Sequence, residues 1–156
     1  MGTAIDLRRF KKDNEGVKIL ASLIEQATES KRKMIITKVG GADSEFLNHC
    51  LRKVVFFEEL VFFEEGVLAE ILATTPAITL AYALKGMAEE FRKKMIGLMG
   101  YRQVGQIKDE EDKMPITTNP ILVSGAQRQI LKIARQLEGR QSFVFELDDC
   151  PRFHTK

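Results

Sequence analysis

Apolar residues recur along this chain at three- and four-residue intervals, the spacing of helices that bury one face. From Val17, the positions Leu20, Leu23, Ile24 and Ala27 form such a stripe, with Asn14 placed to cap its start and residues 28–30 to end it. A second helix is predicted from about Ser30, with Met34 and Ile35 inward, stopping at Gly40-Gly41. A third follows at once. Asp43 or Ser44 caps it, Phe46, Leu47, Cys50 and Leu51 make its apolar stripe, and Arg52 and Lys53 suit the negative end of its dipole.

Residues 54–63 are rich in Val and Phe but do not alternate with polar residues, so the pattern decides neither strand nor helix there. The helical period returns at Glu65 with Val67, Leu68, Ile71 and Leu72. At residues 74–76, Thr75 is placed to cap and Pro76 to open a new helix carrying Ile78, Ala81 and Leu84, which closes at Lys85-Gly86. The next helix uses Phe91, Met95 and Leu98 before Gly100. A charged helix then spans residues 101–112, with Val104 and Ile107 on one side. After a loop over residues 113–119, a long helix over about 123–138 turns Ile130, Leu131, Ala134 and Leu137 inward. Phe143, Val144 and Phe145 fit an extended end packed on the rest.

Composition narrows the function. The 156 residues include 24 basic and 22 acidic ones, too balanced to point to a nucleic-acid backbone or an anionic membrane as the partner. The basic pairs Arg8-Arg9 and Lys11-Lys12 and the run Lys31-Arg32-Lys33 lack interleaved aromatics and read as solvated surface. No stretch reaches the eighteen or so apolar residues of a spanning helix, and the first ten residues hold no apolar leader, so a cytoplasmic protein is expected. Cys50 and Cys150 are too few and too far apart for a disulfide framework or a zinc site and are expected as free thiols.

Chemistry is sparse. His49-Cys50 are neighbours, but adjacent helical side chains point about a hundred degrees apart, a poor geometry for a base and its nucleophile. No nucleophile elbow, glycine-rich phosphate loop or HExxH spacing occurs, so no enzyme, cofactor or metal is expected. What stands out is a ridge on the charged helix. Residues seven apart lie about twenty degrees apart around a helix, which aligns Arg102 and Asp109 with Gln106 between them and Glu110 beside them. Ridges of this kind are most often only solvated helix faces.

The run Ala83-Leu84-Lys85-Gly86, followed by Glu89-Glu90, Arg92, Lys94, Met99 and Arg102, resembles the stretch centred on ALKG in the C-terminal domain of the flagellar motor switch protein FliG family. Val54-Val55-Phe56-Phe57 occupies the place of that family's Met-Phe-X-Phe hinge, with two positions become valine. Residues 16–36 resemble the armadillo-like unit before the hinge, and Ala126-Gln127 through Leu137 resembles the last long helix. Ala88 and Gly100 replace the family's helix-capping serines.

The resemblance implies an all-α protein with right-handed superhelical stacking: an extension over residues 1–14, an armadillo-like unit over 15–53, a hinge at Val54, Val55, Phe56 and Phe57, a helical domain over 58–138 and a tail over 139–156. It also implies that Lys85, Arg102, Asp109 and Glu110 face the stator, contributing to torque and to switching of rotation at the cytoplasmic face of the flagellar basal body. Implied partners are the cytoplasmic loop of a MotA-like stator protein and neighbouring FliG-like subunits, the latter through a face of Leu20, Ile24 and Met34, with FliM as a further candidate. The family's arginine after Gly-Pro-Val has no counterpart, since this chain reads Met114-Pro115-Ile116-Thr117. A FliG-like adaptor outside the motor is the alternative.

Overall fold

The computed structural model describes residues 8–140 and 142–145. Residues 1–7 of the expected extension, Cys150 and residues 146–156 of the expected tail lie outside the described residues. Among the described residues every regular element is helical and no strand occurs. They divide into two compact units meeting between Val55 and Phe56.

The first unit contains α1 (Arg8–Lys11), α2 (Asn14–Gln26), α3 (Glu29–Ala42) and α4 (Ser44–Lys53). Asp13, not Asn14, caps α2, its carboxylate accepting from the Gly16 amide at 2.9 Å. The buried stripe of α2 is Val17, Leu20, Ala21 and Ile24. Leu23 lies about a hundred degrees from Ile24 around the helix and is half-exposed. On α3 the expected inward pair is corrected: Met34 is 48% exposed and Val39 is the buried residue. The apolar residues of α3 are spread around the helix rather than gathered on one face, so spacing alone misassigns them. The expected self-association face falls with this, because Leu20 and Ile24 are core residues and only Met34 of the three reaches solvent.

Gly40-Gly41 do not stop α3, which runs on until Asp43 takes over. The Asp43 amide donates to the Val39 carbonyl at 2.8 Å while its carboxylate accepts from the Phe46 amide at 3.0 Å, so one residue ends α3 and caps α4. α1, absent from the sequence pattern, is held by Phe10, which is buried. Its backbone crosses Gly16 so closely that a Cβ there would sit 2.4 Å from the Phe10 oxygen, a position only glycine tolerates. Cys50 is fully buried on α4, and burial pushes its thiol up to about 11, which keeps it protonated and inert.

The second unit begins with a 3-10 helix, Phe57–Phe62, followed by α5 (Glu65–Thr74), α6 (Ala77–Lys85), α7 (Glu89–Gly97), α8 (Tyr101–Asp112) and α9 (Pro120–Gly139). The undecided Val/Phe segment thus becomes a tight turn. Glu59 fixes it by accepting from the Phe56 amide at 2.8 Å, and Phe57 reaches Phe91 of α7 with ring centroids 5.3 Å apart. α6 is the centre of the unit and packs on both α8 and α9. Its buried face is Leu80, Ala81, Ala83 and Leu84, where two alanines permit close approach of the flanking helices. Ile78, expected inside, is 49% exposed because it lies about two hundred degrees from Leu80 around α6.

Two helix starts are also corrected. The Thr75 hydroxyl donates backward to the Ile71 carbonyl at 2.7 Å, closing α5 rather than capping α6, and Pro76 holds the N-cap position of α6. α9 starts three residues before the expected position of about 123, at Pro120, because proline suits the first helical position and Asn119 accepts from the Ile121 amide at 2.9 Å. Among the described residues no single helix is long and apolar enough to cross a membrane; α5 and α6 pass such a test only together, bent by 119°. Their apolar residues Leu68, Ile71, Leu72, Leu80 and Leu84 are core.

Candidate functional site

α8 carries the site. Ile107 is 2% exposed and anchors one side of the helix to the unit, which turns Arg102, Gln106 and Asp109 to solvent. Glu110 is half-buried and lies 3.7 Å from the Lys113 ammonium. α8 is in turn held to α7 by an ion pair between Arg92 and Glu111 and to α5 by the Gln103 side chain, which donates to the Leu72 carbonyl at 2.6 Å. Lys94 secures α7 by donating to the Val61 carbonyl at 2.5 Å. These three polar ties span 19 to 33 residues of sequence and have no local signature.

The charges of α8 run against the helix dipole. Its first turn holds Arg102 and no acid, and its last turn holds Asp109, Glu110, Glu111 and Asp112 and no base. A cation near the positive end or an anion near the negative end of a helix costs about 0.3–1 kcal/mol at low ionic strength. The pairs Arg92–Glu111 and Lys113–Glu110 offset this for the two inner acids. The helix also starts at Gly100 without a side-chain cap.

Three of the four expected charges, Arg102, Asp109 and Glu110, share α8. Lys85 does not join them. It ends α6 and lines a cavity of about 500 Å³ with residues of the segment leading into α9, none of which belongs to α8. Of the expected hinge, Val54 and Val55 fall in the first unit, where the Val55 amide donates to the buried Glu25 carboxylate at 2.8 Å. Phe56 and Phe57 fall in the second. Among the described residues no three His, Cys, Asp or Glu side chains gather to hold a metal ion.

The family model of the FliG C-terminal domain matches residues 37–145. The chain belongs to the FliG C-terminal domain family. Two curated relatives are flagellar motor switch proteins FliG. That of Thermotoga maritima is 27% identical over 124 residues, covering 79% of this chain and 36% of the relative. That of Borreliella burgdorferi is 24% identical over 129 residues, covering 83% and 37%. The chain therefore spans a little over a third of the length of the curated relatives it matches. Among solved structures, full-length FliG from Aquifex aeolicus superposes with a TM-score of 0.51 at 25% identity, over 81% of this chain and 39% of that one. FliG residues 86–343 from H. pylori give a TM-score of 0.60 at 20% identity, over 86% and 63%, a likeness of fold.

Proposed function

We propose that this FliG C-terminal domain protein works in a flagellar motor switch, its second unit meeting the stator through the exposed charges of α8 and through Lys85. The observation that carries this is the polarity of α8. Arg102 near its start and Asp109 near its end each oppose the helix dipole while facing solvent, an arrangement that costs local stability and is explained by a partner that reads it. Exposed pairs of this kind contribute registry and association rate more than tight affinity, which suits contacts made and broken repeatedly. The expected partner is the cytoplasmic loop of a MotA-like stator protein. FliM and neighbouring FliG-like subunits are further partners to test.

The test is salt-dependent binding of the whole chain to that stator loop, comparing the wild type with Arg102→Asp and with Asp109→Arg. Each reversal is expected to weaken binding at least tenfold while leaving the unfolding midpoint equal or raised, since each improves the match to the dipole. Binding that ignores both reversals would sink the motor reading and leave a FliG-like adaptor.

A further inference from the structure

The connection between α6 and α7 uses a thioether as a hydrogen-bond acceptor. Met87 lies two residues past the end of α6 and is half-buried. Its Sδ accepts from the Gln127 side-chain amide of α9 at 3.4 Å, and the same nitrogen donates to the Ala83 carbonyl at 3.1 Å. One side chain of α9 thereby ties both the last turn of α6 and the turn that follows it. A thioether is a weak acceptor, and oxidation converts it into a polar sulfoxide, so the Met87 half of this tie depends on the oxidation state of one sulfur. Among the described methionines, Met95 is sealed at 1% exposure, while Met34 is 48% exposed in the other unit.

We propose that Met87 is a site of reversible oxidation by hydrogen peroxide, and that its sulfoxide releases the α6–α7 connection from α9. The sulfur gives an electron pair to one peroxide oxygen, an S–O bond forms, the O–O bond breaks and water leaves. A thiol-dependent reductase reverses the step, removing the oxygen as water while its thiols become a disulfide. A thioether has two lone pairs, and oxygen on one or the other gives the two sulfoxide epimers. The Gln127 N–H covers one of them. Peroxide therefore reaches the other, and a single epimer forms. The new oxygen is a strong acceptor that needs water, so it draws the half-buried side chain outward and away from Gln127. The site is independent of the way α8 meets a partner.

The experiment is hydrogen peroxide treatment of the whole chain, followed by peptide mass mapping, thermal unfolding and NMR of the Gln127 side-chain amide. It compares the wild type with Met34→Leu, Gln127→Ala and Met87→Leu, the last a volume-conserving change that keeps the packing. Met87 is expected to take up one oxygen about tenfold faster than Met95, following exposure. Oxidation should lower Tm by about 5 °C in the wild type and in Met34→Leu, and by less than half as much in Met87→Leu. The Gln127 side-chain resonance should move on oxidation of the wild type and stay in place on oxidation of Met87→Leu. One of the two stereospecific classes of methionine sulfoxide reductase should suffice to restore wild-type Met87, whereas Met87 oxidised in Gln127→Ala should need both. Oxidation of Met87 no faster than that of Met95, an equal fall of Tm in Met87→Leu, an unmoved Gln127 resonance, or an epimer mixture in the wild type would overturn the proposal.

Discussion

Arg135 and Glu138 lie within one turn of α9, 2.9 Å apart and with side chains 8% and 7% exposed, and together they grip the backbone of Phe145. Arg135 donates to the Phe145 carbonyl at 3.2 Å, and Glu138 accepts from the Phe145 amide at 2.6 Å. The Phe145 ring, fully buried, stacks on Phe63 at 4.8 Å between centroids and lies under the Arg135 guanidinium. Phe145 is thereby part of the second unit's core. Glu138→Ala removes the carboxylate to which both the buried Arg135 guanidinium and the Phe145 amide donate, and should cost about 3 kcal/mol in urea unfolding. The pair Arg135→Met with Glu138→Leu, which removes both charges, should cost less than Glu138→Ala alone. An equal or greater loss in the double variant would show that the ion pair is not what holds Phe145.

α7 and α8 both begin without a capping side chain, at Ala88 and Gly100. Ala88→Ser should stabilise the unit by about 1 kcal/mol, and Gly100→Ser by a few tenths, because glycine is already a tolerable cap. Thermal unfolding measures both. A Gly100→Ser gain larger than that of Ala88→Ser would contradict the assignment of these residues as caps.

Asp43 joins three elements of the first unit and sets a pH dependence. A hydrogen bond from the Lys11 side chain, then one from the Phe46 amide, hold its carboxyl below the ordinary value of 3.8. A carboxyl depressed on folding stabilises above its unfolded pKa, and that contribution is lost as pH falls through the folded value. Acid should therefore loosen the α1–α4 connection only below about pH 4. Asp43→Asn keeps a capping oxygen but loses the charge, so its stability should vary less with pH over that range. An Asp43 titration measured at or above 3.8 by NMR would remove the effect.

The sequence pattern located the helices that bury one clean stripe. α4, α5 and α8 lie where the periodicity places them, and residues 130, 131, 134 and 137 of α9 are core as expected. It misled where apolar residues encircle a helix, at Met34 and Ile78, since spacing then fits more than one face. It was silent where local structure depends on distant partners. α1 exists because Phe10 packs beneath Gly16, and the 3-10 helix because Glu59 turns back on Phe56. The α8 ridge was legible from a seven-residue spacing. The cavity beside Lys85 was not, because a cavity is a property of packing and leaves no motif.

The junction at Val55 has a mechanical meaning. The Val55 amide is bonded to Glu25 of the first unit and the very next amide, that of Phe56, to Glu59 of the second. A swivel that preserves both bonds is confined to the φ and ψ of one residue. That residue is valine, 1% exposed and stiffened by its branched Cβ. Between those two bonds the backbone has only two rotatable torsions. A glycine at the same position would keep the chain length and widen the range those two torsions can take.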